Sequence, residues 1–210
     1  GALAVGLDMI LPEADSQTPQ RLLAEREDTS IELRKALAAL PPNDAILADT
    51  LHQVPSVLGR AALVDAPPGK SSIPSQTPAV ISGSAPQRFA PTYAGQIVNL
   101  PELEAVAHGR GYLNDSRDGD GVIRNMPLVL SVNGLIAPAF AVELLRVATG
   151  QAAYSVRSDR NGIVGVQIGT SFIPTDRNGS LRLYYSLAHR YRRVSAAAIL
   201  RGTVAPKALA

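Results

Sequence analysis

The sequence predicts an α/β fold, a layered mixed β-sheet with flanking helices and a β-meander in its second half. Residues 2–11 form a near-continuous apolar run, which is typical of a strand covered on both faces. Residues 138–149 carry apolar side chains at helical spacing, and Gly150 follows as a stop signal. Asp-Gly and Asn-Gly turn dipeptides separate short strand-like segments in the second half. With 210 residues, the chain is predicted to form a single domain over 1–210.

Composition limits the classes of function open to the chain. Hydrophobic residues make up 46% and aromatic residues only 4%, so the core must be built from aliphatic side chains. The 20 Lys and Arg residues nearly balance 18 Asp and Glu residues, and a net charge of +2 is too small to predict a nucleic-acid partner. The absence of cysteine excludes thiol catalysis, disulfides and Cys-based metal sites. No apolar run approaches the length of a membrane span, so the fragment is predicted to be soluble.

The first predicted strand ends at Pro12, which leaves two carboxylates in the loop beyond it. Glu13 and Asp15 occupy this loop, at the carboxyl end of the strand. Ligands of open α/β sheets usually bind at that edge.

Two helices and a strand are predicted next. One helix is predicted over 29–40, because apolar residues recur among charges there and two prolines follow. A second helix is predicted over 43–53, although 45–48 could form a strand instead. The next strand is predicted over 56–59.

Residues 65–95 are predicted to form a long irregular loop. The segment is rich in Pro, Ser, Gly and Gln and has few large apolar anchors. A loop of this length is either functional or poorly ordered, and its composition favours mobility.

The remaining elements follow from turn signals and helical spacing. In chain order they are a short helix over 101–107, a hairpin over 112–132, an Asn133-Gly134 turn, a helix over 138–149 with Pro138 in its first turn, a β-meander of 162–168, 171–174 and 181–187 with an Asn178-Gly179 turn, and a short helix over 195–201.

Closely spaced aspartates in the predicted hairpin turn raise the possibility of a cation site. Asp118 and Asp120 each precede a glycine, as in calcium loops. The alignment places Ser116 at the first position and Pro127 at the twelfth, so both anchoring positions fail. A hard cation held by two carboxylates stays open, but a polar turn in which Arg124 neutralises one aspartate is favoured.

A second acidic group lies near the first strand. Asp8, Glu13 and Asp15 could take part in acid–base chemistry, bind a metal or anchor a loop. Asp8 is predicted to lie within a buried strand, where it would need a partner. The hypothesis that the chain is a carboxylate-based hydrolase requires Asp8, Glu13, Asp118 and Asp120 to converge in one cleft. The candidate ligand-binding residues are Asp8, Glu13, Asp15, Asp118, Asp120 and Arg124.

The sequence offers no positive case for an enzyme. Its three histidines, His52, His108 and His189, lack metal-ligand spacing. No nucleophile elbow, Walker loop or dinucleotide fingerprint is present. The sequence therefore predicts no catalytic residue, no metal site and no cofactor.

A series of short segments, in a fixed order, resembles the second type of CHASE domain, the cyclase- and histidine-kinase-associated extracellular sensing module of bacterial receptors. The segments are Val5-Gly6-Leu7-Asp8, Pro12-Glu13-Ala14-Asp15, Leu58-Gly59, Gly111-Tyr112-Leu113-Asn114, Asp118-Gly119-Asp120-Gly121-Val122-Ile123-Arg124, Pro127-Leu128, Pro138-Ala139-Phe140-Ala141, Ile173-Pro174-Thr175-Asp176, Gly179, Tyr185 and Val194-Ser195-Ala196-Ala197.

The resemblance implies a sensor and not a catalyst. The parent would be a membrane-anchored receptor with this domain on the periplasmic or extracellular side of the bacterial inner membrane. An adenylate or guanylate cyclase, a histidine kinase or a Ser/Thr kinase would follow inside. The implied partners are an unknown small molecule or environmental signal and a second copy in a receptor homodimer. The alternative is a structural dimerisation spacer. Family members usually extend beyond both ends of this chain, so one or two strands of the sheet are expected to be missing.

Overall fold

The computed structural model describes residues 2–24, 30–65, 76–117, 119–185 and 193–205, with Arg117 described by its backbone alone. The helices are α1 (Pro19–Ala24), α2 (Ile31–Ala38), α3 (Asn43–Gln53), α4 (Pro101–Val106), α5 (Phe140–Ala148) and α6 (Ala196–Leu200), with a 3-10 turn at Pro86–Arg88. The strands are β1 (Val5–Leu7), β2 (Ser56–Leu63), β3 (Ala79–Gly83), β4 (Thr92–Tyr93), β5 (Gly95–Ile97), β6 (Gly109–Tyr112), β7 (Ser116–Arg117), β8 (Ile123–Pro127), β9 (Val129–Val132), β10 (Leu135–Pro138), β11 (Tyr154–Asp159), β12 (Gly162–Ile168), β13 (Ser171–Pro174) and β14 (Ser180–Arg182).

A short parallel sheet forms the first layer. β2 is its central strand, and β1 and β6 both pair with it in parallel, while β5 pairs antiparallel with its far end. Leu58 of β2 packs with Leu51 of α3 and Leu103 of α4, so these helices cover one face. Because side chains alternate along a strand, the neighbouring positions of β2 face the opposite side, where α5 packs.

Glycines on the strands allow α5 to pack at backbone distance from this sheet. A Cβ at Gly111 would lie 2.5 Å from Cα of Phe140, and a Cβ at Gly109 would lie 2.8 Å from Oε2 of Glu143. The first contact is with backbone, which cannot move aside as a flexible side chain can. The glycines of β6 therefore set the distance between α5 and the sheet.

Replacing Gly111 with alanine is expected to lower the free energy of unfolding by about 1 to 3 kcal/mol, because the added methyl group overpacks a rigid contact. Urea unfolding measures the loss. Gly119→Ala is the matched control, since a Cβ there meets nothing within 4 Å. Equal stability of the two variants would contradict the close approach of α5.

The strands of the second half of the chain, together with β3 and β4, form three further sheets. One has the order β13-β12-β11-β3, a second β10-β9-β4 and a third β14-β8-β7. The largest aliphatic cluster lies here and reaches α5 through Val142. Its other fully buried members include Val129, Val156 and Val166. Since α5 contacts both the parallel sheet and β12, it lies between two layers.

The predicted α/β class is confirmed, and several elements agree closely. The helix predicted over 43–53 is α3. The helix predicted over 29–40 is α2, whose first turn is capped where the Ser30 hydroxyl accepts from Leu33 N at 3.2 Å. The Asn133-Gly134 turn joins β9 to β10 with positive φ at both residues, as a tight hairpin of the I′ type requires.

Four elements differ from the prediction, and for β6 and β14 the reason is a pairing partner that lies about fifty residues away in the chain. The first strand is only β1, so most of the apolar run 2–11 is not strand. β6 joins the parallel sheet, and the hairpin of this region is formed by β7 and β8. The meander consists of β11, β12 and β13, whereas β14 pairs with β8. Pro138 ends β10 and does not begin α5.

The segment 65–95 is more regular than predicted where the structure describes it. Residues 66–75 lie outside the described part of the chain. The rest of the segment contains β3, the 3-10 turn, β4 and the start of β5. β3 pairs in parallel with β11, a partner that lies about 75 residues later and that local composition does not reveal.

Candidate functional site

A cleft of about 160 Å³ lies at the carboxyl ends of β1 and β6, beside the first turn of α5. This edge of a parallel sheet is where α/β proteins usually bind ligands. The lining residues are Asp8, Tyr112, Leu113, Met126, Ala139, Phe140 and Ala141. Among them Asp8 alone carries a charge, and the other walls are chiefly apolar.

Asp8 lies at the mouth of the cleft, not inside a strand as predicted. β1 ends at Leu7, so the Asp8 side chain is exposed at the edge of the sheet. Within the described part of the chain, the structure gives this carboxylate no hydrogen bond and no ion pair. Burial therefore imposes no need for a protein partner, and the carboxylate is available to a bound molecule.

A buried polar network holds the strands that end at this edge. The Arg60 guanidinium donates to both carboxylate oxygens of Glu104, from Nε at 3.1 Å and from Nη2 at 2.5 Å. Asn99 Nδ2 donates to Glu104 Oε1 at 2.9 Å, and Asn99 Oδ1 accepts from Leu11 N at 2.8 Å. The loop that follows β1 is thereby tied to β2 and α4.

A second arginine and a tyrosine of β6 complete this network. The Arg110 side chain donates to the Glu104 carbonyl, and its Nε lies 3.2 Å from Glu104 Oε2. The Tyr112 hydroxyl donates to the Gln96 side-chain oxygen. Burial raises the pKa of Tyr112. Burial alone would also raise the pKa of Glu104, but hydrogen bonds and charge from Arg60 outweigh it and hold that pKa below its usual value.

A separate buried ion pair fixes α5. Arg146 donates to Glu143 from Nε at 2.8 Å and from Nη2 at 2.9 Å, and Glu143 is 0% exposed. Glu143 Oε2 also accepts from Thr77 Oγ1 at 2.8 Å and from Arg110 N at 3.2 Å. Arg146 donates further to the His108 carbonyl at 2.8 Å. The pair therefore joins α5 to the start of β6.

The loop carboxylates predicted after β1 do not line the cleft. Glu13 is exposed. Asp15 accepts from Asn43 Nδ2 at 2.7 Å and from Gln17 N at 2.8 Å. The bond from Asn43, followed by that from Gln17, lowers the pKa of Asp15. Asp15 thus anchors its own loop to the start of α3.

The acidic hairpin turn has the geometry of a polar turn. Arg124 Nη2 lies 2.7 Å from Asp120 Oδ2, and Val122 N donates to Asp120 Oδ1 at 3.1 Å. The bond from Arg124 is the main cause that lowers the pKa of Asp120. Asp118 lies outside the described residues. Neither Asp120 nor Arg124 lines the cleft.

The described residues contain no group of three or more His, Asp or Glu side chains placed to hold a metal ion. Within the same ranges, no helix is both long and apolar enough to cross a membrane.

Sequence reasoning missed both buried ion pairs, although each left a signal. Arg60 is the one charged residue of the strand β2, which is otherwise mostly apolar. Glu143 and Arg146 are the two charged residues of an otherwise apolar helix and stand three positions apart, on one face. A charge inside an apolar element predicts a partner, because an unpaired buried charge is costly.

Comparison with known proteins assigns the family. The chain matches the family model described as CHASE2 domain over residues 1–210. No curated protein and no solved structure matches it. CHASE2 domains are extracellular sensory domains of signalling receptors, and they are sensory rather than catalytic. By this match over its whole length, which agrees with the family inferred from its sequence segments, the chain belongs to the CHASE2 family.

Proposed function

We propose that the chain is the ligand-sensing module of a bacterial transmembrane receptor and that the cleft beside Asp8 is its ligand site. In this proposal the domain lies on the periplasmic side of the inner membrane. The receptor is membrane-anchored, and its cytoplasmic output domain is an adenylate or guanylate cyclase, a histidine kinase or a Ser/Thr kinase.

The observation that carries the proposal is the Asp8 carboxylate, which pairs with no described side chain and lies over apolar walls at the ligand edge of a parallel sheet. The first turn of α5 forms one wall, through Phe140 and Ala141. The same helix is fixed to β6 by the Glu143–Arg146 pair, so a molecule in the cleft contacts an element that spans two layers. A ligand shifts such a receptor only by binding its two states with different affinities.

A thermal-shift screen of the purified chain against small metabolites tests the proposal. A ligand that binds only the folded state raises the unfolding temperature with its concentration. The variant Ala141→Leu serves as the cleft-filling control, because Ala141 is exposed and lines the cleft. We expect one class of compound to stabilise the wild type and not this variant. A screen without any stabilising compound, or stabilisation that survives Ala141→Leu, would refute a sensing role for the cleft.

A second candidate function, a dimerisation spacer, is favoured by β3. This strand is the terminal strand of its sheet in the described residues, and Val80 and Ile81 are exposed on it. An apolar edge strand is a template for pairing with another chain. If this edge joins two copies, analytical ultracentrifugation at micromolar concentrations shows a dimer that Ile81→Lys dissociates. Val164→Lys, an exposed position on the fully paired strand β12, should leave it intact.

A further inference from the structure

The cleft is large enough for one small organic molecule. Its volume of about 160 Å³ is close to that of an apolar protein cavity known to hold benzene, roughly 150 Å³. Leu113, Met126 and Phe140 supply apolar wall, and Ala139 and Ala141 leave space where larger side chains would fill it. A compact apolar body therefore fits better than an extended polar chain.

Charge selects among the compact molecules that fit. The Asp8 carboxylate is the only charged group among the lining residues, all of which the structure describes, and no basic side chain in the described ranges pairs with it. An anion placed against these walls would be repelled by Asp8, and a neutral molecule would form no ion pair with the Asp8 carboxylate. A cation gains an ion pair whose strength rises as apolar walls exclude water around it.

Four arginines on elements that border the cleft have acidic partners other than Asp8. Arg60 and Arg110 lie against Glu104, and Arg146 is held by Glu143. Arg124 is paired with Asp120 in the hairpin turn. None of these four arginines pairs with Asp8.

We propose that this cleft binds a small organic cation, an ammonium group on a compact apolar body, with Asp8 as the residue that recognises the charge. The proposal rests on the proposed sensing function and names the chemical class of its ligand. The ammonium group meets Asp8 at the mouth, and the apolar body lies between Met126 and Phe140.

Methyl NMR of the purified chain tests this assignment, with benzylammonium, benzyl alcohol and benzoate as matched probes. The sequence has two methionines, so methionine labelled with ¹³C in its methyl group gives two signals. Met126 lines the cleft and Met9 does not, and Met126→Leu assigns the signals. We expect benzylammonium to shift the Met126 signal. It should bind about fivefold more tightly than benzyl alcohol, which is the gain in affinity that one exposed ion pair provides. Benzoate should bind most weakly of the three.

Two substitutions separate the charge of Asp8 from its surroundings. Asp8→Asn is expected to weaken the binding of benzylammonium about fivefold and to leave the affinity for benzyl alcohol unchanged. Glu13→Gln, which removes an exposed carboxylate outside the cleft, should change neither. Equal binding of the amine and the alcohol by the wild type, or an unchanged amine affinity in Asp8→Asn, would overturn the assignment.

The outcome also separates this assignment from the sensing function itself. A neutral or anionic stabiliser that Ala141→Leu abolishes would leave the sensing cleft standing and refute the cation. Failure of every screened compound and of all three probes would refute both.

Discussion

Replacing Arg146 with methionine is expected to lower the free energy of unfolding by about 3 to 5 kcal/mol, the typical cost of breaking a buried ion pair. Glu143 is fully buried, and without the guanidinium it keeps only Thr77 and the amide of Arg110 as donors. A buried carboxylate left without its counter-charge is costly to fold. Unfolding in urea, followed by circular dichroism, measures the change in the free energy of unfolding. Urea is suitable because it is uncharged and does not screen the ion pair.

The double variant Glu143→Leu/Arg146→Met should recover most of that loss. Well-packed apolar residues often replace a buried ion pair without destabilising the fold. Arg124→Met is the control, because its pair with Asp120 is exposed and contributes little. If the double variant is as unstable as Arg146→Met alone, or the control loses as much, the penalty does not come from an unpaired buried charge.

The elements that local signals specify were predictable from the sequence. The helix α3 has the bounds that were predicted for it, 43–53, and the turn at Asn133-Gly134 follows from residues that tolerate positive φ. Both depend on residues that lie close together in the chain.

Elements whose partners are remote were not predictable in this way. β6 pairs with β2, which lies about fifty residues earlier in the chain, and β14 pairs with β8 at a similar separation. Strand pairing depends on side-chain packing with neighbours that composition alone does not identify. The same limit explains why residues 112–132 were predicted as one hairpin.

Of the residues that line the cleft, the sequence singled out Asp8 alone, and it predicted Asp8 inside a buried strand. The cleft itself depends on how closely α5 approaches β6. The glycines of β6 and the helix α5 can both be recognised in the sequence, whereas the packing of α5 against these glycines cannot. The prediction for Asp15 as a ligand-facing residue remains untested, and the structure shows it bound to Asn43.

The two buried ion pairs give the cleft a rigid frame. Glu104 joins β2 to α4, and Glu143 joins α5 to β6. Asp8 lies directly after the three-residue strand β1 and takes part in neither ion pair. In the proposed function, a ligand bound beside Asp8 contacts α5, while the two ion pairs hold β2 and β6 in place.

Replacing Glu104 with glutamine is expected to lower the free energy of unfolding by about 3 kcal/mol at pH 7. The substitution keeps the shape but leaves Arg60 and Arg110 buried without the carboxylate that compensates them. Glu102→Gln is the matched control, since Glu102 is exposed on the same helix. Urea unfolding of both variants measures the difference.

Acidification should reduce the difference in free energy of unfolding between the wild type and Glu104→Gln. The folded-state pKa of Glu104 lies below its ordinary value of 4.5, so its contribution is complete above that value. As pH falls through the folded-state pKa, the wild type also loses the carboxylate charge. Its free energy of unfolding then approaches that of the variant. Asp15 and Asp120 titrate in both proteins, so their effects cancel in the difference. A gap that stays constant down to pH 3 would show that lost packing, and not lost charge, causes the instability of Glu104→Gln.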